Sequence, residues 1–138
     1  MIVAPTAAPG EGLILPDQLA ATVATMFGEG RYRRLLVAVE TCHGGVMGTR
    51  LTAPGAMLFA GAAPSEDSLG TNYDGSLANW LADEFAYELT LAATGTPAIT
   101  LDQLYQRLYR SVGGSHVNVS NAGAFGSLGS VTLQEFLE

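Results

Sequence analysis

The sequence is poor in charged residues, above all basic ones, and in cysteine, and each shortage excludes a class of protein. Charged residues make up 14% of the 138-residue chain and hydrophobic residues 48%, which excludes an intrinsically disordered protein. Six Lys and Arg stand against 13 Asp and Glu, and the net charge of −7 repels phosphate backbones, so we expect no nucleic-acid partner. The single cysteine excludes an intrachain disulfide and a multi-cysteine metal cluster.

Long apolar runs and targeting segments are absent from the sequence as well. No apolar stretch reaches the roughly 18 residues that a membrane span needs, so we expect no membrane partner. Residues 2–8 lack the basic start of a secretory signal. A thiol without a disulfide partner favours a reducing, cytoplasmic interior but does not fix the compartment. The length suits one domain over residues 1–138 that buries about two-thirds of its unfolded surface.

The hydrophobic pattern predicts an α/β fold with a mostly parallel sheet. The run from Leu35 to Val39 is apolar without alternation, as in a strand buried on both faces between helices, and residues 57–60 predict a second such strand. Amphipathic spacing predicts helices over residues 17–27, 76–91 and 101–112, with Thr100 and Gln103 as a capping box before the last one. Shorter strands are expected at residues 13–15, 117–119 and 131–136. This alternation of strands and helices indicates the α/β class.

Cys42 is the leading candidate for chemistry because it follows the first buried strand. Open α/β sheets bind their ligands at the carboxyl ends of the strands. Gly44 and Gly45 come soon after Cys42 and leave room for main-chain amides to approach a bound group. A thiolate at this place can attack a carbonyl carbon. The alternative is a buried structural thiol, which is the commoner fate of a lone cysteine.

The segment around Cys42 and five other segments resemble legumain, the asparaginyl endopeptidase family of caspase-like cysteine peptidases. Residues 40–45 read Glu-Thr-Cys-His-Gly-Gly and resemble the nucleophile motif, which is Cys-His-Ser-Gly in metacaspases and Glu-Ala-Cys-Glu-Ser-Gly in legumains. The other matching segments are residues 12–16, 32–36, 62–68, 79–80 and 115–117. The six segments occur in the family's order along nearly the whole chain, and that order is more specific than any one motif.

The resemblance implies a fold, a reaction and a pocket. The fold is a six-stranded caspase-like sheet with helices on both faces, and this chain corresponds to its C-terminal part. The reaction is cleavage of a peptide bond through a thioester on Cys42. The pocket for the residue before the cut is formed by Glu40, Asp67, Ser68 and Asp74. The three carboxylates among them suit an amide or a cation. The alternative for Asp67 and Asp74 is that they are ordinary loop acids.

The family's catalytic histidine has no counterpart in this sequence. The matching stretch, residues 2–12, contains no histidine. His43 adjoins Cys42, but neighbouring side chains at a strand end point apart, so we do not expect it to act as the base. His116 follows Cys42 along the chain as in papain, yet papain's surrounding motif is absent, and we expect a packed histidine. A zinc site built from Cys42, His43 and nearby acids matches no established zinc spacing.

Three explanations for the missing base stay open. In the first, a second chain or a missing N-terminal half supplies the histidine. In the second, the histidine has been altered or the chain truncated, so that what remains is inactive by itself. In the third, the chain is a peptidase-like module that kept only a binding role. The high apolar fraction favours a partner that covers an open sheet edge. We therefore expect a cysteine endopeptidase or transpeptidase that acts on peptide or protein substrates, relies on such a partner or half, and needs no cofactor or metal. The alternative is a catalytically inactive interaction module.

Overall fold

A computed structural model describes residues 13–137 of the chain. In chain order its elements are α1 (Pro16–Gly28), β1 (Leu35–Val39), a 3₁₀ helix (Gly44–Gly48), β2 (Ala56–Ala60), β3 (Gly70–Asp74), β4 (Asn79–Asp83), α2 (Glu84–Gly95), α3 (Leu101–Ser111), β5 (Asn118–Ser120), α4 (Ala122–Phe125) and two further 3₁₀ helices (Leu128–Ser130 and Leu133–Phe136). The strands predicted at residues 35–39, 57–60 and 117–119 correspond to β1, β2 and β5. The predicted α/β class is therefore confirmed.

Strands β1, β2 and β5 form a sheet with β2 in the middle. β1 pairs with β2 in parallel, from Leu35 opposite Ala56 to Val39 opposite Ala60, whereas β5 is antiparallel to β2 on its other side. All of β2 is buried, but β1 is only partly buried because, within residues 13–137, it has a partner strand on one side only. Three strands of the six-stranded sheet implied by the resemblance are thus present in the described part of the chain.

Helices cover both faces of this sheet, as expected. Side chains alternate along a strand, so Met57 and Phe59 of β2 point to one face and Leu58 points to the other. Met57 and Phe59 belong to a core that includes the buried faces of α2 and α3. Leu58 packs in a second core with Val23, which is the buried residue of α1. The sheet is therefore the middle layer of a three-layer arrangement, and its carboxyl edge is left for loops.

Local sequence signals explain two of the helices. Thr100 caps α3, since its hydroxyl accepts a hydrogen bond from the N–H of Gln103 and the Gln103 side chain accepts one from the N–H of Thr100. This confirms the predicted capping box. The first helix begins at Pro16, one residue before the predicted start at residue 17. Proline suits this position because the first N–H of a helix has no partner within the helix, and proline has no N–H.

Residues 70–83 form a β-hairpin, which corrects the helix predicted over residues 76–91. β3 and β4 are antiparallel, and Tyr73 lies opposite Trp80 with the two ring centroids 5.1 Å apart in an edge-to-face arrangement. Trp80 also covers Gly70, where a Cβ atom would come within 2.7 Å of the indole. The apolar residues that predict one helix are divided between strand β4 and helix α2, which begins directly after β4.

Two further predicted strands are wrong. Residues 13–15 are exposed and irregular, because the N–H of Leu15 donates to the Gln18 side chain at 3.0 Å as the chain enters α1. Residues 131–136 make one bridge to Thr100 and then turn into a 3₁₀ helix. The matches at residues 2–12, including the position of the missing histidine, lie outside the described residues.

Candidate active site

Cys42 stands at the carboxyl edge of the sheet, just after β1. The N–H of Gly61, which follows β2, donates to the carbonyl of Val39 at 3.0 Å and ties the ends of the two strands together. The thiol of Cys42 is free and exposed, and its Sγ lies 3.9 Å from the carbonyl oxygen of Ser68. The alternative of a buried structural thiol therefore does not describe this residue.

The turn after Cys42 is held by main-chain hydrogen bonds. His43 has a φ of 58°, in the left-handed region, and a 3₁₀ helix begins at Gly44. The N–H of Gly44 donates to the carbonyl of Thr41 at 3.0 Å, and the N–H of Gly45 donates to the carbonyl of Ala62 at 2.9 Å. In this conformation both glycine amides shape the turn. Their predicted role as contacts for a bound group stays a prediction.

The two glycines differ in the space around them. A Cβ atom on Gly45 would lie 2.7 Å from Cδ of Pro64 and 3.1 Å from the carbonyl oxygen of Ala62. On Gly44 the nearest atom would be Cβ of Ala60 at 3.4 Å, which is an ordinary contact. Glycine is therefore required sterically at position 45, where the turn packs against the loop after β2.

Glu40 lies behind the nucleophile position and is partly buried. Its carboxylate accepts hydrogen bonds from the hydroxyl of Ser68 and, at 3.0 Å, from the N–H of Ala86. Gly61 leaves the space for this carboxylate, since a Cβ atom there would come within 2.8 Å of Oε1. Burial is the main cause that raises the pKa of Glu40, and the negative charge of Asp83 raises it further. The hydrogen bonds from Ser68 and Ala86 lower this pKa but do not cancel the rise. Two of the predicted pocket residues, Glu40 and Ser68, are thus brought together.

The two histidines each face a carboxylate. His43 Nε2 lies 3.5 Å from Oδ1 of Asp67, and His116 Nδ1 lies 2.5 Å from Oε1 of Glu66. Among residues 13–137 neither imidazole is a hydrogen-bond partner of the Cys42 thiol. The expectation that neither histidine acts as the base stays a prediction.

Asp74 lies where the β3–β4 hairpin turns. Its Oδ1 accepts hydrogen bonds from the N–H and the hydroxyl of Ser76 at 2.7 and 2.6 Å and from the N–H of Leu77 at 3.1 Å. These bonds, led by that of the Ser76 hydroxyl, lower the pKa of Asp74. In the described part of the chain none of its hydrogen bonds reaches Glu40 or Ser68. Asp74 therefore has a turn-capping role here, and its place in the pocket stays a prediction.

Glu66 is a candidate that the sequence reasoning missed. Its carbonyl oxygen accepts a hydrogen bond from the N–H of His43 at 2.7 Å. Its carboxylate accepts one from the N–H of His116 at 2.8 Å and one from the N–H of Ala63 at 3.3 Å. The bonds from His116 are the main cause that lowers the pKa of Glu66. Glu66 and His116 both lie in segments that resemble the family, but no pattern in the sequence pairs these two segments.

An open cleft of about 450 Å³ lies beside this network. One wall is formed by Glu66, Asp67 and Leu69, and the other by Tyr109 and residues 112–116. Asp67 stands on the first wall next to Leu69, so the cleft combines acidic and apolar surface.

Two other kinds of feature are not formed by residues 13–137. No three His, Cys, Asp or Glu side chains converge there in a way that would hold a metal ion, so the zinc alternative has no site in this part of the chain. No helix in the same residues has both the length and the apolar character needed to cross a bilayer.

Fold and site together define an α/β protein whose single thiol is presented at the carboxyl edge of a helix-covered sheet, with a glutamate behind it. The model of the Peptidase C13 family matches residues 5–132, and the chain therefore belongs to the C13 peptidase family. The family resemblance stated from the motifs is confirmed.

One curated relative is similar to part of the chain. It is a Drosophila melanogaster protein described as a putative GPI-anchor transamidase, 28% identical over 74 residues. The match covers 54% of this chain and 21% of the relative. The chain therefore spans about a fifth of that relative's length.

Proposed function

We propose that this chain carries the nucleophile of a cysteine peptidase or transamidase and that Cys42 forms the acyl-enzyme. The observation that carries the proposal is the exposed thiol of Cys42 at the carboxyl edge of the sheet, in a chain that the C13 family model matches over residues 5–132. A thiol in the core would be inert, whereas an exposed one at a strand end is accessible to a peptide carbonyl.

The reaction begins when the Cys42 thiolate attacks the carbonyl carbon of the scissile peptide bond. The carbon–nitrogen bond then breaks, the amine leaves with a proton, and a thioester remains on Cys42. Water attacks this thioester in hydrolysis, which releases a carboxylic acid and returns a proton to the sulfur. An amine attacks it in transamidation, which forms a new amide. The name of the Drosophila relative supports the second outcome as an alternative to the first.

Glu40 and Ser68 form the base of the proposed pocket for the residue before the cut, and Asp67 stands at its exposed mouth. The bond between the Ser68 hydroxyl and the Glu40 carboxylate links the nucleophile strand to the next loop. A buried carboxylate without a cationic partner favours a ligand that brings a hydrogen-bond donor. We infer that the pocket takes an amide or cationic side chain, with Asp74 as a further acid on the hairpin.

The general base comes from outside residues 13–137 in this proposal. Both histidines of the chain are engaged with Asp67 and Glu66. Within residues 13–137 one edge of β1 has no partner strand, and this edge, next to Cys42, offers the place for an added parallel strand. A preceding segment or a second chain that pairs with β1 would bring its histidine to the same edge of the sheet. If no such histidine activates Cys42, the chain is an inactive interaction module, and the following experiment distinguishes the two cases.

The test uses two reagents of different selectivity. Because Cys42 is the only cysteine, every thiol adduct found by mass spectrometry reports on it. Iodoacetamide should label Cys42 in the chain alone, and a peptidyl acyloxymethyl ketone with Asn or Arg next to the reactive group should label it when the histidine-bearing segment is present. Adding hydroxylamine during turnover of a peptide substrate distinguishes transfer from hydrolysis, because transfer yields a hydroxamate.

Cys42→Ser is the matched control and should lose both labels. Labelling by iodoacetamide without any labelling by the peptide reagent, even in the presence of the histidine-bearing segment, would contradict the enzyme and favour the interaction module.

A further inference from the structure

We propose that Glu66 is a positioning residue that couples the Cys42 turn to the segment of residues 113–116. The inference rests on the proposed function of Cys42, because only a reacting thiol needs a fixed direction. Glu66 makes no described hydrogen bond to Cys42 and acts through its neighbours.

The main chain of the Glu66 loop holds the nucleophile from two sides. The carbonyl of Glu66 accepts the N–H of His43, the residue next to Cys42, at 2.7 Å. The carbonyl of Ser68 lies 3.9 Å from Sγ of Cys42. Since His43 has a φ of 58°, which few non-glycine residues adopt, its conformation depends on such external bonds. A shift of this loop would therefore redirect the thiol.

The carboxylate of Glu66 fastens the same loop to a distant part of the chain. Oε2 accepts the N–H of His116 at 2.8 Å and that of Ala63 at 3.3 Å, and Oε1 lies 2.5 Å from Nδ1 of His116. Bonds to a charged acceptor are stronger than bonds between neutral groups. The lowered pKa of Glu66 keeps the carboxylate charged into the acidic range and so maintains these contacts. One side chain thus joins residues that are 50 positions apart.

The segment that Glu66 binds is anchored independently. The carboxylate of Glu84 accepts the N–H groups of Gly113 and Gly114, both at 2.9 Å. The hydroxyl of Ser115 donates to the carbonyl of Gly61 at 2.6 Å, at the end of β2. Because these bonds tie residues 113–116 to the sheet and to α2 without Glu66, the segment is a fixed support against which the nucleophile loop is set.

The experiment compares Glu66→Gln and Glu66→Ala with the exposed control Glu29→Gln in the full chain, with the histidine-bearing segment present. Glutamine removes the charge but keeps the shape. We expect the maximal rate of Cys42 labelling by the peptidyl acyloxymethyl ketone to fall by roughly tenfold to a hundredfold in the Glu66 variants. The reagent concentration at half-maximal rate should stay nearly constant, and iodoacetamide should react as in the wild type. Glu29→Gln should match the wild type in all three measurements.

Two measurements that do not need catalysis keep this inference separate from the proposed function. The amide of His43 should exchange its hydrogen faster in both Glu66 variants, and the ¹⁵N resonances of the His116 ring should shift. If the wild type is not labelled by the peptide reagent, the proposed function fails, and the His43 and His116 measurements alone decide whether Glu66 couples the two segments. Unchanged labelling and unchanged His43 exchange in Glu66→Gln would overturn the inference. Should the Glu66 variants fail to fold, His116→Ala takes their place. It removes the ring contact with Glu66 and keeps the main-chain bond, so labelling should slow and His43 exchange should rise by less than in the Glu66 variants. Wild-type labelling and exchange in His116→Ala would then overturn the inference.

Discussion

Glu40 and Cys42 are two residues apart and lie in opposite environments. The thiol is exposed at the sheet edge, whereas the carboxylate is partly buried and hydrogen-bonded by Ser68 and Ala86. Burial of a carboxylate costs free energy unless donors compensate for the lost water. Glu40 is therefore the residue of the proposed pocket that should affect both stability and substrate choice.

Glu40 should contribute a loss of stability as the pH rises. Burial raises the pKa of Glu40 in the folded chain, so the folded state holds this proton at pH values where the unfolded state has already released it. The Glu40 contribution is fully present below the ordinary glutamate pKa and is lost as the pH rises through the raised one. Urea unfolding from about pH 4 to about pH 8 measures this slope, and Glu40→Gln should flatten it.

Ser68→Ala is the matched variant for this prediction. It removes a bond that lowers the pKa of Glu40, so the pH-dependent loss of stability should extend to higher pH. Glu40→Ala should lower the free energy of unfolding by about 1–3 kcal/mol, because it leaves the N–H of Ala86 without its acceptor. A Glu40→Gln variant with the wild-type slope would show that this residue does not cause the pH dependence.

At the scale of elements, the 3₁₀ helix after Cys42 depends on close packing against the loop after β2. Gly48 at its end also lies against β5, where a Cβ atom would clash with the side chain of Ser120. Small residues at both ends thus let this short helix sit directly on the sheet. Its position in turn determines where the chain leaves Cys42.

Alanine at position 45 should be far more harmful than alanine at position 44. Gly45→Ala forces its Cβ against Pro64 and should lower the free energy of unfolding by about 1–3 kcal/mol, with a matching loss of Cys42 labelling by the peptide reagent. Gly44→Ala makes only ordinary contacts and should remain within about 1 kcal/mol of the wild type. Urea unfolding of both variants checks the prediction, and equal losses at the two positions would refute the packing argument.

The elements also show where prediction from sequence succeeds. Strands β1 and β2 and helix α3 were predicted because each carries its own local pattern: an unbroken apolar run or a capping box before amphipathic spacing. The β3–β4 hairpin was missed because the packing of Trp80 on Gly70 and Tyr73 is a contact between strands. Helical spacing of apolar residues cannot reveal such a contact.

For the molecule as a whole, the edge of β1 that lacks a partner strand within residues 13–137 is the feature that matters most for the proposed function. Unpaired edges expose main-chain N–H and C=O groups and attract further strands. Within residues 13–137 the sheet ends at β1, on the side where Cys42 emerges. A strand added there would extend the sheet, and its histidine would complete the proposed catalytic pair.

Supplying the histidine-bearing segment should activate the chain. We expect hydrolysis of a peptide substrate to rise by roughly 10²- to 10⁴-fold when a preceding segment that ends in His-Gly is joined to the chain or added as a second chain. The same segment with alanine in place of its histidine should bind but not activate. Release of a fluorescent leaving group measures the rate. Equal activity with and without the histidine would show that the base lies within this chain.

The α/β class, the position of the nucleophile candidate and the family resemblance follow from the amino-acid sequence, because apolar runs, caps and motif order depend on residues that are neighbours in the chain. The resemblance also predicts Glu40 and Ser68 as pocket residues. The contact of Glu66 with His116, the turn-capping bonds of Asp74 and the lack of space for a side chain at Gly45 are visible only in the folded structure. Each of these features depends on which segments of the chain contact one another, and those contacts are determined by the packing of the folded chain.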